Sequence, residues 1–203
     1  MGALPKWDEY VSESEYLELS EKSEERLEWI DGRIYPRHNP YGLLPQAMAG
    51  ASDRHIDLNT SLQGLVYAAL RGKSCFVVNQ DQKVKSRNSY SFPDLTIYCG
   101  EREKDARGHL TNPVVIIEVL SPGTRAYDES EKFDAVRQLD SLQDYLLVSQ
   151  NRVLVEHRHR RAENRWDLIY TNRLDDQIAL ESVGITLAVR EVYERVSFDT
   201  LSD

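Results

Sequence analysis

The hydrophobic positions of this chain follow two periods, and the changes between them predict its secondary structure. Residues 114–117 read VVII, an unbroken β-branched run bounded by Pro113 and by Ser121-Pro122-Gly123. A short run of this kind is typical of a central strand that is buried on both faces. Apolar residues at helical spacing predict three helices, over residues 7–27, 52–70 and 128–139.

The remaining apolar runs are shorter and predict strands. Asp31-Gly32 is a strong two-residue turn signal and predicts a hairpin over residues 26–35. Further strands are expected at 75–78, 82–85, 92–98 and 145–148, as an antiparallel pair at 153–161 and 166–170, and at 178–180 and 185–187. Residues 39–50 and 101–110 are predicted loops, and 190–195 a final helical turn. The order predicts an α/β fold in which helices flank a central mixed sheet, built as one domain over residues 1–203.

Polar residues at the predicted helix starts fit N-caps. Ser12 or Ser14 can cap the first helix and Ser52 the second, which places His55 in its first turn. Asp128 and Glu131 have the spacing of a capping box, so we expect Asp128 to cap the third helix.

The charge distribution bears on whether this protein binds nucleic acid. The 203 residues include 25 Lys and Arg against 34 Asp and Glu, a net charge of −9, which argues against a general nucleic-acid binder. Residues 8–31, however, contain ten acidic and two basic side chains. The remainder is close to neutral and leaves room for a local positive groove.

Features that would mark export or a membrane are missing from the sequence. No apolar stretch has the length of a membrane span, and residues 1–8 lack a signal-peptide core, so we expect a cytoplasmic protein. Cys75 and Cys99 lie beside apolar residues without Cys-x-x-Cys spacing, and we expect two small core residues rather than a disulfide.

Two carboxylates in strand patterns carry the candidate chemistry. Glu118 ends the central apolar run, and Asp94 lies in the predicted strand 24 residues earlier. A buried carboxylate needs a cation partner, a metal ion or a proton. We hypothesise that Asp94 and Glu118 lie on adjacent strands and share a hard divalent ion such as Mg²⁺ or Mn²⁺, which could activate a water for attack on a phosphodiester. No Gly-rich phosphate loop follows any strand, which disfavours nucleotide-dependent chemistry.

The combination of motifs resembles a known family. The pieces are Pro93-Asp94, then Ile117-Glu118-Val119-Leu120-Ser121-Pro122, then Asp128-x-x-x-Lys132, then the run at 145–148, with Leu27-Glu28-Trp29-Ile30-Asp31-Gly32 upstream. Together they resemble the putative restriction endonuclease domain family of the PD-(D/E)XK nuclease superfamily, over about residues 12–170. The resemblance implies a restriction-endonuclease-like core and metal-dependent cleavage of phosphodiester bonds.

The same resemblance implies roles for individual residues. Asp94 and Glu118 would be metal ligands, with the Val119 carbonyl as a third. The superfamily's lysine position, two residues after the glutamate, is Leu120 here. In this family the lysine is displaced to the following helix, which makes Lys132 the candidate to orient the attacking water, with Glu28 as an additional acid.

Each of these roles has a simpler alternative. Lys132 could be a solvated helix residue paired with Asp128 or Glu129, and Glu28 could be one more residue of an acidic segment. Arg158, Arg160 and His55 are candidates for contacting nucleic acid, although a solvated edge strand would also explain the arginines. Strand alternation places Arg158 and Arg160 on one face, and His157 and His159 on the other with Val155.

The sequence therefore predicts a Mg²⁺- or Mn²⁺-dependent DNA endonuclease, with a homodimer as the economical route to cutting both strands of a duplex. A catalytically silent binding or regulatory domain of the same fold is the alternative, favoured by the acidic balance and Leu120. A glycosidase that uses two carboxylates is a third possibility, for which the sequence offers no aromatic cleft.

Overall fold

A six-stranded mixed sheet is the centre of this fold. The computed structural model describes residues 9–37, 40 and 52–198. The strands lie in the order β10-β9-β8-β7-β6-β3, in which only the β7–β8 pair is parallel. They span β3 Cys75–Asn79, β6 Leu95–Cys99, β7 Val115–Leu120, β8 Asp144–Ser149, β9 Val155–Ala162 and β10 Arg165–Thr171. The predicted mixed α/β architecture is confirmed.

The predicted central strand is β7, and all six of its residues are buried. It pairs with β6 on one side, with Leu95 opposite Ile117, and with β8 on the other. Side chains of Val115, Ile117 and Val119 enter one apolar cluster, whereas Ile116 and Leu120 enter another. Both faces are covered because helices pack on each of them, as the unbroken apolar run predicted.

The two faces carry different helices. On the first, α2 (Asp53–Leu70) packs with the hairpin β11–β12 (Gln177–Leu180 and Ile185–Ala188) and with α5 (Val189–Val192). Ser52 caps α2 by accepting a hydrogen bond from the His55 N–H, as predicted. On the second face lies a helical segment that begins with α3 (Arg125–Tyr127), continues through a π-helical turn (Asp128–Lys132) and ends with α4 (Phe133–Val136).

A smaller antiparallel sheet holds the N-terminal acidic residues near the main sheet. Its order is β2-β1-β5-β4, with β1 Leu27–Ile30, β2 Arg33–Pro36, β4 Val84–Ser86 and β5 Ser89–Ser91. The hairpin at Asp31-Gly32 is confirmed, and both of these residues have positive φ. Helix α1 (Glu13–Lys22) has the capping box of Ser12 with Glu15. The predicted helix start at residues 7–8 and most of the predicted loop at 39–50 lie outside the described residues.

Two sequence-based expectations are wrong. Cys75 and Cys99 lie opposite each other in β3 and β6 and form a disulfide. Their pairing depends on strand register, which residue spacing along the chain does not reveal. Asp128 is not an N-cap: the helical segment already begins at Arg125, and Asp128 is a buried residue of the π-helical turn. Strand β5 was also not predicted.

Within the described residues, no helix combines the length and the apolar character that crossing a bilayer requires.

Candidate functional site

The two predicted carboxylates lie next to each other at the β6–β7 junction. Asp94 directly precedes β6, and the register Leu95 to Ile117 places it beside Glu118. One hydrogen bond connects the two residues directly, since the Asp94 N–H donates to Glu118 Oε2 (3.2 Å). The next residue of β7 adds a second, since the Val119 N–H donates to Asp94 Oδ2 (2.8 Å). Both side chains are almost fully buried. The expectation of two adjacent strands holds for β6 and β7, although Asp94 itself lies one residue before β6.

Lys132 reaches this pair from the helical segment. Its Nζ atom lies 2.8 Å from Glu118 Oε1 and 3.5 Å from Asp128 Oδ1, and the lysine side chain is 3% exposed. The interpretation of Lys132 as a solvated surface residue is therefore wrong, although its pairing with Asp128 was foreseen. The π-helical turn ends at Lys132, and Tyr145 supports this turn by donating a hydrogen bond from its hydroxyl to the Asp128 carbonyl (2.9 Å).

Glu28 belongs to the same cluster, although it comes from the smaller sheet. It lies in β1 and is fully buried, with Oε1 3.2 Å from Lys132 Nζ. Its other oxygen, Oε2, accepts a hydrogen bond from the Tyr127 hydroxyl (2.7 Å), and Oε1 also accepts one from the Phe92 N–H. These contacts distinguish Glu28 from the solvated glutamates of the acidic segment.

Asp94 has two further neighbours, Arg37 and His55, that the sequence analysis did not place beside the carboxylates. Arg37 Nη2 lies 2.5 Å from Asp94 Oδ1, and its Nε donates to the Phe92 carbonyl. His55 Nε2 lies 3.4 Å from the same Oδ1 atom. His55 thus lies at the acid cluster rather than on an open surface. No motif marked Arg37, because only the packing of β2 against the main sheet brings it there.

The protonation of the cluster follows from burial and from these contacts. Burial raises the pKa of Glu118 well above its usual value, and the neighbouring carboxyls add to this against the opposing effect of Lys132. Burial likewise raises the pKa of Asp128 to about 6. For Asp94, burial is outweighed by His55, Arg37 and the Val119 N–H, which together lower its pKa.

A divalent cation fits this set of residues. Four carboxyls and two permanent cations take part in the contacts described: Glu28, Asp94, Glu118 and Asp128 with Arg37 and Lys132. The carboxyls outnumber the two cations, so a divalent cation would reduce the repulsion among them. Oε1 of Glu118 is buried and accepts no hydrogen bond among the described residues, although the Lys132 ammonium lies 2.8 Å away. Carboxylate oxygens are the ligands that Mg²⁺ and Mn²⁺ prefer.

The two candidate nucleic-acid arginines lie on β9 and are bonded within the protein. Arg160 donates to the carbonyls of Leu142 (2.6 Å) and Leu139 (2.8 Å), and also to those of Arg137 and Glu163. Arg158 donates to the Glu129 carbonyl (2.9 Å). Both side chains are partly exposed. Their role toward nucleic acid stays a prediction, whereas the structure shows Arg158 bonded to the π-helical turn and Arg160 to carbonyls that follow α4.

Comparison with family models gives one match that spans most of the chain. Residues 13–190 match the family Uma2, described as "Putative restriction endonuclease". Two curated relatives come from Synechocystis sp. (strain PCC 6803). "Uncharacterized protein slr1290" is 34% identical over 190 residues, covering 93% of this chain and 94% of the relative. "Uncharacterized protein sll1609" is 30% identical over 160 residues, covering 77% and 84%.

A solved structure shares the fold. It is the crystal structure of a putative nuclease belonging to DUF820 from Anabaena variabilis, with a TM-score of 0.63 and 16% identity, covering 89% of this chain and 96% of that chain. At this identity the likeness concerns the fold alone. It supports the restriction-endonuclease-like architecture that the sequence predicted.

Proposed function

Because this chain belongs to the family described as Putative restriction endonuclease, we propose that it is a metal-dependent endonuclease that hydrolyses phosphodiester bonds in DNA. The family and the shared fold indicate nuclease function in general terms. The observation that supports the specific proposal is the contact of Lys132 with Glu118, 2.8 Å apart, directly beside Asp94. This arrangement provides two acids and a cation where the family resemblance requires them.

Asp94 and Glu118 would hold a Mg²⁺ or Mn²⁺ ion, with the Val119 carbonyl as a third ligand. Such an ion, when bound, polarises a phosphodiester and lowers the pKa of a coordinated water. The Asp94 N–H donates to Glu118 and the Val119 N–H donates to Asp94, so a backbone donor holds each carboxylate and little ordering is needed on binding. His55 and Arg37 keep Asp94 ionised, which suits a ligand of a hard cation.

Lys132 would orient the attacking water and offset negative charge in the transition state. Its ammonium is positioned by three carboxyls, and these contacts raise its pKa against the opposing effect of burial. A lysine that keeps its proton can donate hydrogen bonds to a water or a phosphate oxygen but cannot act as a base at neutral pH. Glu28 would assist by fixing the Lys132 ammonium, and the Tyr127 hydroxyl in turn fixes Glu28 (2.7 Å).

The alternative is a silent domain that retains the fold. It is favoured by the burial of both acids and by the position of Arg37, which already pairs with Asp94 Oδ1. In that case the cations Arg37 and Lys132 would stabilise the acid cluster permanently, and no metal ion would be required.

Nicking of supercoiled plasmid DNA distinguishes the active endonuclease from the silent domain. Purified protein should nick the plasmid with Mn²⁺ or Mg²⁺ and not with EDTA, and Asp94→Asn and Glu118→Gln should each abolish the reaction. Asp105→Asn is the matched control, because Asp105 pairs with His109 away from the cluster. If the wild type leaves DNA intact with either metal, or if the two variants cut as well as the wild type, the proposed active site is refuted.

Several finer points stay proposals. They are DNA rather than RNA as the substrate, a homodimer that cuts both strands, and a cytoplasmic location. Arg158, Arg160 and His55 would lie toward the bound phosphates. The homodimer would be excluded if the protein sediments as a monomer and cuts only single strands of a duplex.

A further inference from the structure

A second cluster of polar side chains is buried in this fold. Asp144 is fully buried, and one of its oxygens, Oδ1, lies 2.6 Å from His157 Nε2 and 2.7 Å from His159 Nδ1. The other oxygen accepts a hydrogen bond from the Ser182 hydroxyl. Among the described residues, this is the one group of three His, Cys, Asp or Glu side chains whose ligand atoms converge within 4.8 Å.

The cluster is separate from the acid cluster around Glu118. Asp144 begins β8 and lies beside Val115 in the parallel register, three positions before Glu118 along β7. By strand alternation its side chain is on the same face of the sheet as Leu146 and Val148. These two residues enter the apolar cluster on the face that α2 covers. Glu118 alternates with the residues of that face and lies on the other side of the sheet.

We propose that Asp144, His157 and His159 bind a transition-metal ion of the Zn²⁺ class. Two imidazole nitrogens and one carboxylate oxygen are ligands that Zn²⁺ uses, with metal–ligand distances of about 2.0–2.2 Å and four-coordinate tetrahedral geometry. A mixed nitrogen and oxygen set with two histidines selects such ions over Mg²⁺, which prefers oxygen alone. The site thus differs in metal preference from the proposed nuclease centre.

The distances require only a small adjustment on binding. Tetrahedral ligands at Zn²⁺ bond lengths lie roughly 3.3 Å apart, so each imidazole nitrogen would lie about 0.6–0.7 Å further from Asp144 Oδ1 than it does now, and all three ligand atoms already lie within 4.8 Å of one another. Side chains on two paired strands can open by that amount without a change of register, since Asp144 and His159 are direct partners in the β8–β9 pairing. The fourth position would be taken by a water or by the Ser182 hydroxyl.

The fold gives this ion a structural role. Ser182 lies in the 3-10 turn Glu181–Val183, which connects β11 to β12. Its contact with Asp144 ties that hairpin to the main sheet beneath it. An ion held by β8 and β9 would keep the Asp144 carboxylate in place for this contact, so metal binding and the docking of the C-terminal hairpin would stabilise each other.

Metal titration of the full chain tests the proposal. Protein stripped with EDTA and titrated with Co²⁺ should develop the intense visible absorption of a four-coordinate site, and Zn²⁺ should displace it. His159→Gln should weaken binding by at least about 10-fold, since even the loss of an outer-shell partner has that effect. The His159 side chain is 18% exposed, so glutamine can replace it without a large change in packing.

His109→Gln is the matched control. His109 forms an equally short contact with one carboxylate, Asp105 (2.8 Å), without a second histidine, and this variant should bind Co²⁺ like the wild type. As a measurement independent of any variant, the imidazole NMR signals of His157 and His159 should shift with Zn²⁺ while those of His109 do not. Unchanged His157 and His159 signals at saturating Zn²⁺, or unaltered affinity in His159→Gln, would identify a hydrogen-bonded cluster without a metal and overturn the proposal.

Discussion

Lys132→Met tests whether the acid cluster depends on its buried cation. Methionine keeps most of the aliphatic stem but removes the ammonium that lies 2.8 Å from Glu118, 3.2 Å from Glu28 and 3.5 Å from Asp128. All three carboxyl side chains are at most 5% exposed. Removing one partner of a buried ion pair costs about 3–5 kcal/mol, because an uncompensated charge is left behind.

The carboxyls can limit this cost by taking up a proton, which makes the effect depend on pH. A carboxyl with an ordinary pKa near 4 is neutralised at a cost of about 4 kcal/mol at pH 7 and about 1 kcal/mol at pH 5. In the variant, the folded state therefore binds a proton that the unfolded state does not. Its free energy of unfolding should fall as the pH rises from about 4 to 7. Burial already raises the pKa of Glu118 and of Asp128 in the wild type, so the wild type shares part of this dependence. We therefore expect a loss relative to wild type of up to about 4 kcal/mol at pH 7 and a smaller loss at pH 5.

Urea unfolding of metal-free protein at the two pH values measures this difference. The double variant Lys132→Met with Glu118→Gln removes one charge of each sign and should recover most of the loss at pH 7. Lys22→Met is the control, since Lys22 is 77% exposed and its pair with Glu18 contributes little. Equal losses at both pH values, or a double variant no more stable than Lys132→Met, would refute the account of a shared buried charge.

Three further predictions concern other parts of the fold. Arg160→Met should lower the free energy of unfolding by about 1–3 kcal/mol, because it leaves several partly buried carbonyls without their donor. The exposed Arg161→Met should change it by less than about 0.5 kcal/mol in the same urea assay, and equal effects would contradict a structural role for Arg160. Gly32→Ala should lower the free energy of unfolding by about 1–2 kcal/mol, because Gly32 has a φ of +85°. The loss should persist when Tyr10 is also replaced by alanine, since the exposed Tyr10 ring can move away from the new Cβ. If the loss disappears in the double variant, the contact with Tyr10 causes it and not the backbone conformation. Burial lowers the pKa of Lys83 to about 8. The unfolded chain therefore binds more protons than the folded chain between about pH 8 and 10.5, and the free energy of unfolding should rise with pH in this range. A Lys83→Met variant with the same pH profile of stability as the wild type would exclude this contribution.

Local patterns predicted most of the fold because they depend on neighbouring residues. The β-branched run at 114–117 identified β7, Asp31-Gly32 identified the first hairpin, and Ser52 identified the start of α2. The alternation of β9 also placed His157 on the face of Val155, and both are buried.

Features that depend on contacts between distant segments could not be predicted from local sequence patterns. The Cys75–Cys99 disulfide requires the register of β3 against β6, and Arg37 reaches Asp94 only because the smaller sheet packs against the main one. The convergence of Asp144 with His157 and His159 likewise follows from the β8–β9 register. No spacing rule along the chain predicts any of these three contacts.

The position of the lysine links the departure from the superfamily motif to a local feature of the backbone. Leu120 stands where the motif has its lysine, two residues after Glu118 on the same face of β7, and it packs in an apolar cluster with Phe133. That face is therefore filled by core side chains, and the cation must come from outside the strand. The π-helical turn that ends at Lys132 includes an additional residue per hydrogen-bonded loop, which changes the direction of the side chains that follow it. It brings the Lys132 ammonium to 2.8 Å from Glu118 while leaving Phe133 in the core. An acid and a lysine are thus in contact although they are 14 residues apart in the sequence, which is why a search for a lysine beside the glutamate would overlook this pair.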